Sequence, residues 1–302
     1  MRPTRVLLAV CGAAGTLSVL AALITADRTA AQCALAASAA LVGYVLFAGP
    51  AAPRVRPALA AGIALLAVPA SVELWRDSTA PARRQTLAPL YTPLDGGVAP
   101  TGPARLPQSV LDQWRQSLDE RQFGCVGLLL GVVCLAVAVR ALPPRQRPRA
   151  TVLAGVVAVL LVVFVGMDAW SRVDDEPLLG LLGAGWPALL ATLAAARMLA
   201  LSGARADRAA LVPIGALLVA VSAAAAFHDL TGRWAAWWTF SHPDEGVVLS
   251  VGVAVSLANV VDGEAALLAA VALAGPALLT VGVLRAAHTA AAVVPPAHPP
   301  GP

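Results

Sequence analysis

Residues 150–168 read ATVLAGVVAVLLVVFVGMD, and the only charged side chain among them is Asp168, at the last position. A helix of this length is about 30 Å long and matches the hydrocarbon core of a bilayer. The stretch follows Arg140, Arg145, Arg147 and Arg149, the kind of cluster that stays on the cytoplasmic side and sets topology. The sequence therefore predicts a transmembrane helix here, running outward from its basic end.

Similar apolar runs recur along the whole chain. Of its 302 residues 59% are hydrophobic and 13% are charged, whereas an ordinary soluble domain carries about a quarter charged residues. The mean hydropathy is +0.77. These values exclude a soluble globular protein, a disordered chain and a nucleic-acid-binding protein.

We predict an all-α, polytopic transmembrane helical bundle of eight or nine spans. The predicted spans are 6–25, 31–49, 58–75, 123–141, 150–168, 178–200, 209–227, 247–261 and 265–284. The run 247–261 is short for a span, and it is alternatively a re-entrant or interfacial segment. The turn signal at 262–264 favours nine spans and a cytoplasmic turn, whereas eight spans would leave Arg285 inside.

The loop charges orient the predicted bundle with its N-terminus in the cytoplasm. The inner loops then hold eleven arginines and one acid, and the outer loops hold nine arginines and fourteen acids. Every tryptophan falls on the outer side. All basic residues are arginine, which is typical of a high-GC genome, and we expect a multi-pass protein of the bacterial cytoplasmic membrane.

Four regions follow from these boundaries. Residues 1–75 carry the first three spans, 76–122 form an extracytoplasmic loop, 123–285 carry the remaining spans, and 286–302 form a Pro-rich disordered tail. Within the loop, residues of about 109–121 form an amphipathic helix with a capping box. This helix either rests on the outer leaflet or serves as a lid or docking site.

A tryptophan-rich outer loop at 228–246 is the candidate site. His228 and His242 bracket its tryptophans, and Asp244 and Glu245 follow, so two imidazoles and carboxylates could hold zinc or iron. The competing interpretation is structural anchoring at the membrane interface. The candidate anchors are Trp114, Trp234, Trp237 and Trp238.

Residues 228–245 resemble the tryptophan-rich, haem-handling loop of cytochrome c assembly proteins, whose flanking histidines ligate haem. The resemblance rests on Trp234, Trp238, Phe240, Pro243 and Glu245, with one residue inserted before the second histidine. The aspartate of that family's loop is missing, and so are its histidines at other helix ends. The resemblance therefore implies cofactor handling without implying membership.

No charged residue falls near the middle of a predicted span, which argues against a proton-driven transporter. We predict no catalytic residue and no cofactor. The expected function is that of a non-catalytic assembly, scaffold or permease-type subunit, and the alternatives are a small-molecule transporter and an outer-face enzyme or cofactor-handling protein. The expected partners are the lipid bilayer and a membrane or extracytoplasmic protein, and not nucleic acid.

Overall fold

The computed structural model describes residues 3–47, 55–79, 108–144, 148–171, 178–205, 210–241 and 263–293. Within these ranges the chain forms helices and no strand. The helices are α1 (Pro3–Leu23), α2 (Asp27–Phe47), α3 (Val55–Leu66), α4 (Val68–Thr79), α5 (Gln108–Arg140), α6 (Pro148–Trp170), α7 (Leu178–Gly203), α8 (Leu211–Ser241) and α9 (Gly263–Val293). Eight segments among the described residues are long and apolar enough to span a membrane, with α3 and the start of α4 forming one of them. The all-α membrane bundle is confirmed.

The two ends of the bundle differ in composition. We call the end that holds Arg140, Arg149 and Arg205 the arginine end, and the end that holds Trp114 and Trp234 the tryptophan end. The most extensive contacts join helices that are neighbours in the chain: α1 with α2, α7 with α8, and α8 with α9. Helix α5 also packs on α3, α7 and α8. Helices α5, α7 and α8 therefore form the centre of the bundle.

The close packing of α8 on α9 fixes the direction of α9. A Cβ at Gly282 would lie 2.9 Å from the backbone nitrogen of Val212, and a Cβ at Gly275 would lie 3.0 Å from that of Val219. The two helices are therefore antiparallel, and α9 begins at the tryptophan end, where α8 finishes. This arrangement fits the eight-span alternative, with Arg285 toward the arginine end; residues 247–261 themselves lie outside the described residues.

The third span is interrupted at Ala67. Pro69 has no N–H to donate, and its ring conflicts with the carbonyl one turn earlier, which favours a kink or break of the helix at this point. The resulting bend packs on α5, where a Cβ at Gly127 would lie 2.6 Å from the side chain of Val68 and one at Gly124 would lie 3.4 Å from Pro69. Glycine at these positions lets the bent span approach α5 closely.

Helix α5 corrects the expectation of a separate helix at 109–121 on the outer leaflet. Its 33 residues form one continuous helix, about 50 Å long, which joins the amphipathic stretch to the fourth span. Nothing between Gln108 and Arg140 breaks a helix, since this stretch contains no proline. Leu111 and Leu118 are buried, because the apolar stripe of the stretch packs on α8.

At the arginine end, Arg205 ties together the C-termini of two helices. Its guanidinium donates hydrogen bonds to the carbonyl oxygens of Leu142 (3.1 Å), Leu201 (3.0 Å) and Arg140 (3.4 Å). A cation is stabilised beside the last carbonyls of a helix. Burial lowers the pKa of this guanidinium, and the nearby charge of Arg140 lowers it further.

One side of α6 carries large apolar side chains that no other described helix covers. Leu153, Val159 and Phe164 of α6 are each more than 60% exposed, which marks a surface that faces lipid.

Helix α9 continues to Val293, so residues 286–293 are helical where the sequence predicts the start of a disordered tail. Residues 294–302 lie outside the described residues.

Candidate functional site

A cavity of about 760 Å³ lies over α8 at the tryptophan end, between α6 and α9. We call it the lateral groove, because exposed apolar residues such as Phe164 (61%) and Leu268 (40%) line its sides. The described residues that line it are Trp114, Leu161, Phe164, Val221, Ala224, Ala225, His228, Asp229, Gly232, Arg233, Ala236, Glu264 and Leu268. A small-molecule site of ordinary size occupies about 300–1,000 Å³.

The groove is amphipathic along its length. His228, Asp229, Arg233 and Glu264 lie toward the tryptophan end, and we call these four residues the polar mouth. The lining residues nearer the middle of the bundle are apolar. A groove with this division matches a molecule that has a polar head at the membrane surface and an apolar body within the bilayer.

Asp229 lies at the centre of the ion pairs of the polar mouth. Its Oδ1 accepts a hydrogen bond from Nε of Arg233 at 2.7 Å, one helical turn along α8. Its Oδ2 lies 3.3 Å from Nη1 of Arg121 on α5. Two guanidinium groups thus share one carboxylate.

His228 meets Asp168, which lies near the end of α6. Nδ1 of the imidazole lies 3.0 Å from Oδ1 of the carboxylate, whose side chain is 14% exposed, while that of His228 is 61% exposed. A carboxylate at this distance fixes the orientation of the ring and favours a proton on Nδ1. The pair also joins α6 to α8 beside the groove.

The tryptophan cluster, Trp234, Trp237 and Trp238, lies on α8 beyond the groove. The rings of Trp234 and Trp238 stack with their centroids 5.4 Å apart, and Trp234 is only 7% exposed. Nε1 of Trp237 donates a hydrogen bond to the carbonyl of Leu111 (3.2 Å), and the guanidinium of Arg115 lies 4.8 Å from its ring centre. The cluster therefore joins α8 to the projecting part of α5.

The structure brings only some of the predicted site residues together. His228 lines the groove, and Trp114 does so from α5. His242, Asp244 and Glu245 lie outside the described residues, as do the topology-setting Arg145 and Arg147. The other two topology-setting residues, Arg140 and Arg149, lie at the arginine end.

Sequence reasoning missed several residues of the site. The spacing of Asp229 and Arg233 is that of an i, i+4 helical ion pair and could have indicated their contact. No sequence signal connects Asp168 with His228, or Glu264 with the groove, because these contacts depend on how α6 and α9 pack on α8.

Among the described residues there is no group of three or more His, Cys, Asp or Glu side chains placed to hold a metal ion. Comparison with known proteins found no family whose sequence model matches this chain, no similar curated protein and no similar solved structure.

Proposed function

We propose that this multi-pass membrane protein is a non-catalytic, permease-type subunit of a bacterial cytoplasmic membrane that binds an amphipathic small molecule. The observation that carries the proposal is the lateral groove, whose polar mouth lies at one end and whose apolar sides are open toward lipid. A molecule dissolved in the bilayer would reach this groove by lateral diffusion, without crossing the interior of the protein.

The groups of the polar mouth support binding in a fixed orientation. Arg121 and Arg233 both contact Asp229, and Asp168 contacts His228. Charged groups that are positioned in advance lose little conformational freedom when they bind a ligand. The tryptophan end then faces outward, as the loop charges predict.

The experiment uses a dansyl-labelled lysophospholipid as the probe and energy transfer from the native tryptophans as the signal. Trp114 lines the groove, so a bound probe lies near a donor. In Ala225→Phe a larger side chain fills the groove. Ala13→Phe is the matched control, since Ala13 is exposed on α1.

We expect saturable binding of the probe by the natural protein and by Ala13→Phe. In Ala225→Phe the apparent Kd is expected to be at least about tenfold higher, which corresponds to a loss of about 1.4 kcal/mol in binding free energy. Both variants are first checked for a single elution peak and an unchanged melting temperature. Equal, non-saturating energy transfer in all three proteins would overturn the proposal.

Cofactor handling is the second candidate, and the contact of Asp168 with His228 favours it. Imidazoles that bind metals generally donate their other N–H to a carboxylate or carbonyl. Under this candidate, purified protein shows a Soret band or stoichiometric metal that His228→Ala and His242→Ala both remove. Colourless, metal-free protein would discard it.

A further inference from the structure

We infer that the lateral groove takes its ligand from one leaflet only, the leaflet at the tryptophan end, and that the ligand is an amphiphile whose apolar part enters the groove to a depth of about 10 Å. This inference rests on the proposed function, because it states where the amphipathic molecule comes from and how far it reaches. Two features carry it: the levels of the lining residues along their helices, and the direct contact of α8 with α9 on the arginine side of them.

The depth of the groove follows from the relative level of α6 and α8. These helices run in the same direction, and the contact of His228 with Asp168 fixes which positions lie side by side. Seven positions before these two residues lie Val221 and Leu161, and among the described residues no lining residue of either helix lies nearer to the arginine end. Seven positions of an α-helix measure about 10 Å, which is therefore the depth of the apolar part below the polar mouth.

Helix α9 contributes lining residues at the same levels. It runs antiparallel to α8, and a Cβ at Gly275 would lie 3.0 Å from the backbone nitrogen of Val219. Seven positions from this contact, Leu268 lies about level with Ala226. Glu264 lies one turn further toward the tryptophan end, in the polar mouth. The α9 wall thus divides into a polar and an apolar part as the α8 wall does.

The groove ends where α9 comes into direct contact with α8. The contact of Gly275 with Val219 begins this region. One turn further toward the arginine end, a Cβ at Gly215 would lie 2.7 Å from Cα of Leu279. Val219 is 2% exposed and Leu279 is 0% exposed. These contacts leave no space for a ligand between α8 and α9 on the arginine side of Val221.

The closed end of the groove lies near the middle of the apolar layer. On α6 this layer corresponds to residues 150–167, which lie between Arg149 and Asp168. Leu161 is about 18 Å along the helix from Arg149 and about 10 Å from Asp168. The groove therefore occupies the half of the bilayer at the tryptophan end, which the loop charges make the outer leaflet. A molecule in the opposite leaflet does not reach it.

These dimensions define the class of ligand. Its polar group lies level with His228 and Glu264, and its apolar part extends toward Val221. A chain that is longer than about 10 Å leaves the groove sideways into lipid, past the exposed side chains of Phe164 and Leu268. The ligand is thus an outer-leaflet amphiphile that has a short apolar body, or a longer chain of which only the first part is bound.

The leaflet assignment is tested in proteoliposomes that contain the full chain with a single cysteine, after the four native cysteines have been replaced. Asp119→Cys lies at the tryptophan end and Arg149→Cys at the arginine end. A membrane-impermeant fluorescein maleimide labels only the copies whose cysteine faces the outside, so each variant reports one orientation. The dansyl-labelled lysophospholipid is then added outside, and its charged head group keeps it in the external leaflet of the vesicle.

We expect energy transfer from dansyl to fluorescein that excess unlabelled lysophospholipid suppresses in Asp119→Cys, and no suppressible transfer in Arg149→Cys. When probe and competitor are mixed into both leaflets before the vesicles form, suppressible transfer is expected in Arg149→Cys as well. Suppressible transfer in Arg149→Cys with the probe added only outside would overturn the inference. The inference also fails if either of the two expected signals is missing.

The depth is tested by two substitutions that lie two turns apart on α8. Val221 lines the closed end of the groove and is 36% exposed, whereas Ile214 is 44% exposed and lies seven positions nearer to the arginine end. Val221→Phe is expected to raise the apparent Kd of the probe in detergent at least about threefold, and Ile214→Phe is expected to leave it unchanged. An equal effect of the two substitutions, or no effect of Val221→Phe, would overturn the stated depth.

Each of these contrary results leaves the proposed function standing if the probe still binds saturably in detergent and Ala225→Phe still weakens it. Loss of saturable binding by the natural protein in detergent would instead overturn the proposed function, and the leaflet assignment with it.

Discussion

Nδ1 of His228 lies 3.0 Å from Oδ1 of Asp168, so an imidazole on α8 contacts a carboxylate on α6 across 60 residues of chain. The two partners differ in environment, since the Asp168 side chain is 14% exposed and that of His228 is 61% exposed. This contact is a polar link between α6, whose outward side chains are exposed, and α8 at the centre of the bundle.

A double-mutant cycle measures this link. Asp168→Ala, His228→Ala and the double variant are expected to show a coupling free energy of up to about 1 kcal/mol, because the pair is only partly shielded from water. The measurement is equilibrium unfolding in detergent at constant pH. The exposed pair of Arg115 and Asp119 is the control, and its coupling is expected to be close to zero. Equal coupling for both pairs would contradict the structural role of the histidine contact.

Glycine at position 215 is required for α8 and α9 to pack closely. A methyl group there would meet the backbone nitrogen of Leu279, so Gly215→Ala is expected to lower the free energy of unfolding by about 1–3 kcal/mol. Gly155→Ala is the control, because a Cβ at that position on α6 meets nothing within 4 Å. This control is expected to be neutral or to stabilise by up to about 1 kcal/mol through higher helix propensity. Similar melting temperatures for the two variants would mean that the helices are farther apart.

Because α5 is one continuous helix, it predicts the distance between two labels placed on either side of Gln122. Spin labels at Gln116 and Val133, both exposed on this helix, are 17 positions apart and should lie about 26 Å from each other along a straight helix. The labels are introduced in a background from which the four native cysteines have been removed. An interfacial helix that turned into the span near Gln122 would instead give a distance of roughly 19 Å, from the same rise per residue along two perpendicular segments.

The direction of α9 predicts which positions share one side of the membrane. Single cysteines at Asp119 and Gly263 are expected to react with a membrane-impermeant maleimide in intact cells, and a cysteine at Arg149 is expected to react only after the membrane is opened. The prediction follows from the start of α9 at the tryptophan end together with the loop charges. Protection of the Gly263 position together with Arg149 would favour nine spans.

Eight of the nine predicted spans could be predicted from sequence because hydrophobic length alone identifies them, and the ninth, 247–261, lies outside the described residues. The sequence predicts 58–75 as one span, although Pro69 within this run is a residue that can interrupt a helix, and the helix is interrupted at Ala67. The extent of α5 could not be predicted, because amphipathicity at 109–121 is equally typical of a surface helix and of a helix that packs above the membrane.

The candidate site was only partly predictable, for a physical reason. His228 and Trp114 were found because His and Trp are conspicuous residues in an apolar chain. Glu264 and Asp168 belong to the same site through packing between helices that are distant in sequence, and single-sequence patterns carry no information about such contacts. The groove itself is a space between helices, and therefore has no signature in the order of residues.

The length of α5 has a consequence for the shape of this small protein. A helix of 33 residues exceeds a hydrocarbon core of about 30 Å by roughly two-thirds, and the 31 residues of α8 extend beside it at the tryptophan end. The ion pair of Arg121 and Asp229 joins α5 and α8 near the point where both helices leave the apolar layer. Together they extend beyond the apolar layer at the tryptophan end, and this asymmetry distinguishes the two ends of the protein.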